Sequence, residues 1–236
     1  MTHAEMTVED GYRIQRAIMA TKVAQGARVI GKKIGLTSRA NQVVFGVREP
    51  VYGQLLDSGA HPEQTPVDTA ALIQPIIECE VTFVMRRRLE GPGVTAPDVI
   101  RATEGIMPSL ELGDSRMRDW IGRATAADIL ADSCGSVGII VGGELHALRG
   151  FDLRYTGMVV EKNGDLIATG AMGAVMGNPA QSVAWLANKL AAFELALEEG
   201  ELVLSGALTG AVQMQAGDVL KATFGGGLGG VGVKFI

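Results

Sequence analysis

The sequence predicts an α+β fold dominated by strands, on three observations. Glycine is abundant, at 32 of 236 residues, which suits turns and close strand packing and argues against a helical bundle. Short runs rich in β-branched residues recur from Arg28 to Phe235, separated by turn residues. Few segments combine a helix cap with helical spacing.

Taken in order, Thr7 and Asp10 form a capping-box pattern for a helix over Val8–Ala24, which Gly26 ends. Arg28–Ile34 reads as a strand. Thr37 or Ser38 caps a short helix over 39–45, closed by Gly46, and Val51–Leu56 is extended. The polar, proline-containing stretch Gly59–Asp68 reads as a loop, and Leu72–Met85 as a long strand. After the Gly91-Pro92-Gly93 turn, Thr95 caps a helix with Pro97 near its start, ending about Thr103. Ser109–Leu112 is a buried strand, Arg116–Asp128 a polar surface segment, and Val137–Val141 a strand. Asn163-Gly164 marks a hairpin between 158–161 and 166–169. Asn178 and Pro179 open the clearest helix, about Ala180–Phe193, whose Val183, Leu186 and Leu190 face a core. Strands over 202–205, 219–223 and 231–235 close the chain. No internal repeat or low-complexity segment interrupts this order, so residues 1–236 are expected to form one catalytic domain with a helical segment (1–30) packed on it.

Composition removes several function classes. The formal net charge is −5, and no basic stripe points to nucleic acid; Arg86-Arg87-Arg88 is a solvated strand end. No apolar run approaches the roughly 20 residues that span a bilayer. Met1–Asp10 carries no apolar signal-peptide core. Two cysteines, Cys79 and Cys134, cannot build a disulfide framework or a four-ligand zinc site, and the three histidines lie far apart. These features predict a cytoplasmic protein whose chemistry rests on carboxylates and lysine.

Gly225–Gly230 satisfies G-x-G-x-x-G, but only six residues follow it. A dinucleotide site needs a helix and a further strand there, so this is a turn between closing strands. Ser205 lacks the G-x-S-x-G surroundings of a hydrolase elbow.

The carboxylates are more informative. Glu78 and Glu80 lie in the apolar run Ile77-Glu78-Cys79-Glu80-Val81-Thr82-Phe83. Strand parity puts both on one face and Cys79 on the other. Adjacent carboxylates repel unless a cation lies between them. Glu111 is embedded in another apolar run, Pro108-Ser109-Leu110-Glu111-Leu112. Three converging oxygen donors suit Mg²⁺ or Mn²⁺; alternatively, the glutamates lie on a solvated face. Lys33, in Gly31-Lys32-Lys33-Ile34-Gly35, is either a charged strand end or a buried amine whose pKa falls far enough to shuttle protons.

Together these segments resemble the fumarylacetoacetate hydrolase superfamily, and within it the branch of 2-keto-4-pentenoate hydratases and 4-oxalocrotonate decarboxylases. The resemblance is carried by 31–38, Pro50-Val51-Tyr52-Gly53, Glu78-Cys79-Glu80, 108–111 with Asp114-Ser115-Arg116, 177–179 through 185–188, and 204–206 with the glycine-rich C-terminus. It covers nearly the whole chain in the family's order. It implies a mixed β-roll or barrel with a few flanking helices. It further implies Mg²⁺ (or Mn²⁺) held by Glu78, Glu80 and Glu111, Lys33 as a catalytic group, Asp57 as a pocket acid, and Leu36, Thr37, Ser133 and Thr209 around the substrate.

The implied activity is a lyase of aromatic meta-cleavage catabolism acting on a small 2-oxo acid. It would decarboxylate 2-oxo-3-hexenedioate (4-oxalocrotonate) to 2-hydroxypenta-2,4-dienoate, or alternatively hydrate that dienoate. An acylpyruvate hydrolase and an inactive partner subunit are more distant alternatives. The implied assembly is a homo-oligomer, or a complex with a paralogous hydratase or decarboxylase. Two departures stand out. An additional N-terminal segment usual in the family is missing, and Ala131-Asp132-Ser133-Cys134 replaces the common Ala-Asp-Asn-Ala.

Overall fold

A computed structural model describes residues 5–63, 65–117, 119–120 and 122–236. Its α-helices are α1 (Val8–Ala24), α2 (Arg39–Val44), α3 (Ala96–Ala102), α4 (Ala126–Ala131) and α5 (Pro179–Ala191). Its strands are β1 (Val29–Gly35), β2 (Val51–Leu56), β3 (Ala60–Pro62), β4 (Ile76–Met85), β5 (Thr103–Gly113), β6 (Ser136–Val141), β7 (Gly157–Lys162), β8 (Asp165–Ala171), β9 (Leu202–Leu204), β10 (Val212–Gln213), β11 (Val219–Phe224) and β12 (Gly229–Lys234).

Two sheets result. The larger runs β2-β1-β9-β4-β5-β6-β3, with β10 also paired to β4, and mixes antiparallel with parallel neighbours. β2, at one end of this order, contacts β6 near the other, so the sheet curls into an incomplete barrel. Leu55, Ile139 and Leu204 fill the space this curl encloses. The smaller sheet, β12-β11-β7-β8, packs β12 against β5 and β6. This is the strand-dominated α+β roll expected from the sequence.

The helices follow from their caps. Thr7 Oγ1 accepts from Asp10 N, and Asp10 returns the bond to Thr7 N, a complete capping box on α1. α1 packs on α4. Its fully buried Gln15 donates from Nε2 to Tyr52 O at 3.2 Å and to Leu130 O at 2.9 Å, tying helix to barrel. Gln15→Ala is therefore expected to destabilise the protein by about 1–3 kcal/mol, because two buried hydrogen bonds across the helix–barrel seam are lost; urea unfolding would measure this. On α5, Asn178 Oδ1 accepts from Ala180 N, Pro179 takes the first turn, and Val183, Leu186 and Leu190 are buried as expected.

Several expectations need correction. The loop expected over 59–68 contains β3, which pairs in parallel with β6. Pro62 is tolerated because β3 is an edge strand, paired on one side only. The strand expected from Leu72 begins only at Ile76, after a 3₁₀ turn at Thr69–Ala71. β5 extends well upstream of Ser109 and passes through Pro108. There Pro108 O accepts from Gly142 N, so the missing Pro108 N–H faces the place where β6 has already ended. The segment expected to be polar surface, Arg116–Asp128, instead buries Trp120, Ala126, Ala127 and Asp128. Thr125 and Asp128 form a capping box that starts α4 there. Arg118 and Ile121 of that segment lie outside the described residues. Among the described residues no helix is long and apolar enough to cross a membrane.

Candidate metal and substrate site

β4 and β5 bring the carboxylates together by register. Glu78 stands directly opposite Glu111, and Glu80 opposite Ser109. One oxygen from each of Glu78, Glu80 and Glu111 can be chosen so that all three lie within 4.8 Å of one another. Glu80 and Glu111 are fully buried, and Glu78 is half-buried at a cavity wall. Cys79, as parity requires, turns away into the main core.

The two buried glutamates share a pattern. Glu80 Oε2 accepts from Gly206 N at 2.7 Å, and Glu111 Oε1 pairs with Lys33 Nζ at 2.8 Å. Their second oxygens, Glu80 Oε1 and Glu111 Oε2, are buried with no hydrogen-bond partner among the described residues. Buried anionic oxygens left without donors are costly. An oxygen-seeking divalent cation would satisfy both, so the donor set fits Mg²⁺ or Mn²⁺.

Electrostatics agree with a site built for positive charge. Burial, then the charge of Glu111, pushes the Glu78 carboxyl up to about 7. Burial and the neighbouring Glu111 and Glu78 charges push Glu80 well above the usual carboxylate range. Lys33 corrects an expectation. Burial alone would lower its pKa, but Glu111, Cys134 and Glu78 outweigh burial and hold the ammonium above its ordinary value. Lys33 is thus a fixed cation rather than a neutral amine. Its neighbour Lys32 points to the opposite face of β1 and pairs with Glu201 at 2.5 Å.

Beside the cluster opens a cavity of about 450 Å³, reached by Lys33, Glu78 and Glu111. Leu36, Thr37 and Thr209 line it as the sequence suggested. Leu36 adopts a left-handed backbone (φ 52°), which turns the chain out of β1 toward α2. Thr209 Oγ1 is buried without a partner. Two predicted residues are not brought here. Asp57 lies just past β2, where Arg28 holds its carboxylate through N and Nε at 3.1 and 3.0 Å, outside the cavity. Ser133 is buried, but it lines a separate, smaller cavity.

Other lining residues were not anticipated. Trp120 lies at the wall with a buried indole N–H that has no partner among the described residues. A lone tryptophan within an otherwise polar segment was the available signal. Cys134 Sγ donates to Tyr52 O at 3.0 Å, and burial pushes its thiol up to about 12. Phe45, Val51 and Ile129 make the rest of this wall largely apolar.

Comparisons with known proteins agree with this geometry. Residues 48–234 match the fumarylacetoacetate (FAA) hydrolase C-terminal family. A 2-hydroxyhexa-2,4-dienoate hydratase of Comamonas testosteroni is 43% identical over 219 residues, 92% of this chain and 82% of that protein. A 4-oxalocrotonate decarboxylase of Pseudomonas sp. (strain CF600) is 38% identical over 234 residues, 99% of this chain and 88% of that protein. Among solved structures, 4-oxalocrotonate decarboxylase from Pseudomonas putida G7, complexed with magnesium and adipate, superposes with a TM-score of 0.94 at 39% identity. That match covers 98% of this chain and 87% of that one.

Proposed function

The chain belongs to the fumarylacetoacetate hydrolase C-terminal family, and from that premise we propose that it is a divalent-metal-dependent lyase that decarboxylates 2-oxo-3-hexenedioate to 2-hydroxypenta-2,4-dienoate. The observation that carries this reading is the convergence of Glu78, Glu80 and Glu111, with two orphaned carboxylate oxygens, beside a cavity of about 450 Å³. The likeness to a decarboxylase complexed with magnesium and a six-carbon diacid favours decarboxylation. The higher identity to a hydratase supports hydration of the dienoate as the second reading.

Glu78, Glu80 and Glu111 would hold Mg²⁺ or Mn²⁺. When bound, the ion supplies Lewis acidity for charge developing on the 2-oxo oxygen. The chain's own residues do the rest. Gly206 N–H and Lys33 each fix one carboxylate, so the donor set is preorganised. Lys33 Nζ gives one of its three donors to Glu111 and keeps others for an anionic substrate. In decarboxylation the C5–C6 bond breaks and its electron pair becomes the C4–C5 double bond. The former C3–C4 π pair moves to C2–C3, and the 2-oxo π pair ends on oxygen, where the Lys33 ammonium would offset the developing charge and a proton from solvent completes the enol. Leu36, Thr37 and Thr209 would bound the substrate, and the largely apolar wall would limit water.

We further propose a single catalytic domain over 1–236, because one large core cluster runs from Tyr12 to Phe235. It would work in the cytoplasm as a homo-oligomer or with a paralogous hydratase or decarboxylase. Light scattering on the purified protein tests the assembly.

Protons compete with the metal here. Because burial and the neighbouring carboxylates hold both Glu78, up to about 7, and Glu80 above the usual range in the metal-free protein, affinity for Mg²⁺ is expected to rise at least roughly tenfold per pH unit between about pH 5 and 7, with release of more than one proton. Calorimetry in buffers of different ionisation enthalpy checks this, and a pH-independent affinity contradicts it. The same shift has a stability consequence. The folded state keeps the Glu78 proton while the unfolded chain releases it near 4.5, so the metal-free protein loses stability as pH rises from there to about 7.

The deciding assay offers 2-oxo-3-hexenedioate and 2-hydroxypenta-2,4-dienoate separately to metal-stripped protein, with and without Mg²⁺, followed in the ultraviolet. Mg²⁺-dependent loss of the first with CO₂ release supports the decarboxylase. Consumption of only the second makes it a hydratase. Silence on both sends the reading to acylpyruvate hydrolysis if metal is bound, and to an inactive partner if it is not.

A further inference from the structure

A second cavity, of about 140 Å³, lies between α1 and the strands β2 and β6. Two of its lining residues are serines with buried hydroxyls: Ser133 is 3% exposed and Ser136 is 8% exposed. Neither Oγ has a hydrogen-bond partner among the described residues. Two cations also line it, Lys22 from α1 and Arg116 from the segment after β5. Among the described lining residues there is no carboxylate.

Acids close to the lining residues are already engaged: Asp114, whose charge acts on Arg116, accepts from Ile73 N and Gln74 N. Asp57, between the lining residues Leu56 and Ser58, is held by Arg28 and by Ser58 N. Asp132 pairs with Arg116 and accepts from Ser115 Oγ at 2.7 Å. Lys22 has no ion-pair partner among the described residues. Burial, and then the charge of Arg116, push its ammonium below the ordinary lysine value. Arg116 is already offset by Asp132, so the groups left for an anion to join are the unpaired Lys22 ammonium and the two orphaned serine hydroxyls.

We propose that this second cavity is a binding site for a small oxyanion, either inorganic phosphate or the carboxylate of a small organic acid. Lys22 would supply charge, and the Ser133 and Ser136 hydroxyls would donate to the oxygens. The space exceeds that of a single water. The site backs onto the catalytic cavity through adjacent residues, Ser133 lining one and Cys134 the other.

The test needs no turnover, so it is independent of the catalytic reading. Phosphate and, separately, acetate are titrated calorimetrically into chelator-treated protein at constant ionic strength. Saturable one-to-one binding of either anion is expected, and the arm that binds identifies the source. Lys22→Gln is expected to weaken it at least tenfold. Ser136→Ala should weaken it about tenfold, the loss of one charge-assisted hydrogen bond. Glu78→Gln, in the other cavity, should leave it unchanged, and circular dichroism checks that each variant folds. The proposal is overturned if neither anion saturates, if Lys22→Gln binds as tightly as the parent, or if Glu78→Gln rather than Lys22→Gln weakens binding.

Discussion

Glu80→Gln is expected to lower metal-dependent turnover by about 10³-fold or more. Glu80 is fully buried; one oxygen is committed to Gly206 N–H, and the other has no partner among the described residues. A glutamine keeps the volume but removes the charge. Its NH₂ must also face either the Gly206 N–H or the cation, and both encounters are repulsive. Losing several kcal/mol of Lewis-acid stabilisation, about 4 kcal/mol, corresponds to that factor. The check is kcat/KM against Mg²⁺ concentration for both proteins, with circular dichroism to confirm the fold. Parent-like turnover in the variant would remove Glu80 from the metal set.

The second large effect concerns Lys33→Met. Methionine approximates the shape of the lysine stem but leaves Glu111 without its ion-pair partner, close to Glu78 and Glu80. Breaking a buried pair from one side costs about 3–5 kcal/mol. For a chain of this size that is a fall in Tm of about 6–20 °C. The loss should be greatest in the metal-free protein, because a bound cation also offsets the Glu111 charge. Turnover should fall as well, since the cavity loses the fixed cation that meets the substrate. Thermal unfolding with and without Mg²⁺ separates these effects. Unchanged metal-free stability would mean that Glu111 does not depend on Lys33.

Much of this site was legible in the sequence because its signals are local. Strand parity alone places Glu78 and Glu80 on one face, and acids in apolar runs demand a partner. The α1 and α5 caps are likewise written within a few residues, as Thr7 with Asp10 and Asn178 with Pro179. What stayed hidden depends on distant parts of the chain. That Glu111 faces Glu78 is a cross-strand register, set by the pairing of β4 with β5. The Lys33 charge state follows from Glu111, Cys134 and Glu78, which lie far along the chain and together outweigh burial. The family resemblance implies Asp57 as a pocket acid, yet Arg28 holds it elsewhere. Trp120 and α4 were missed because the surrounding charges read as surface, although the Thr125–Asp128 capping box was present. β3 was missed because three residues and a proline give no strand pattern.

The central claim is that Glu78, Glu80 and Glu111 hold the divalent ion on which catalysis depends. Its most direct test is a Mg²⁺ titration of metal-stripped protein turning over whichever 2-oxo or dienoic acid it consumes. The account predicts negligible turnover without metal and saturable restoration by Mg²⁺, lost again on chelation. Turnover that persists undiminished in excess chelator would contradict it.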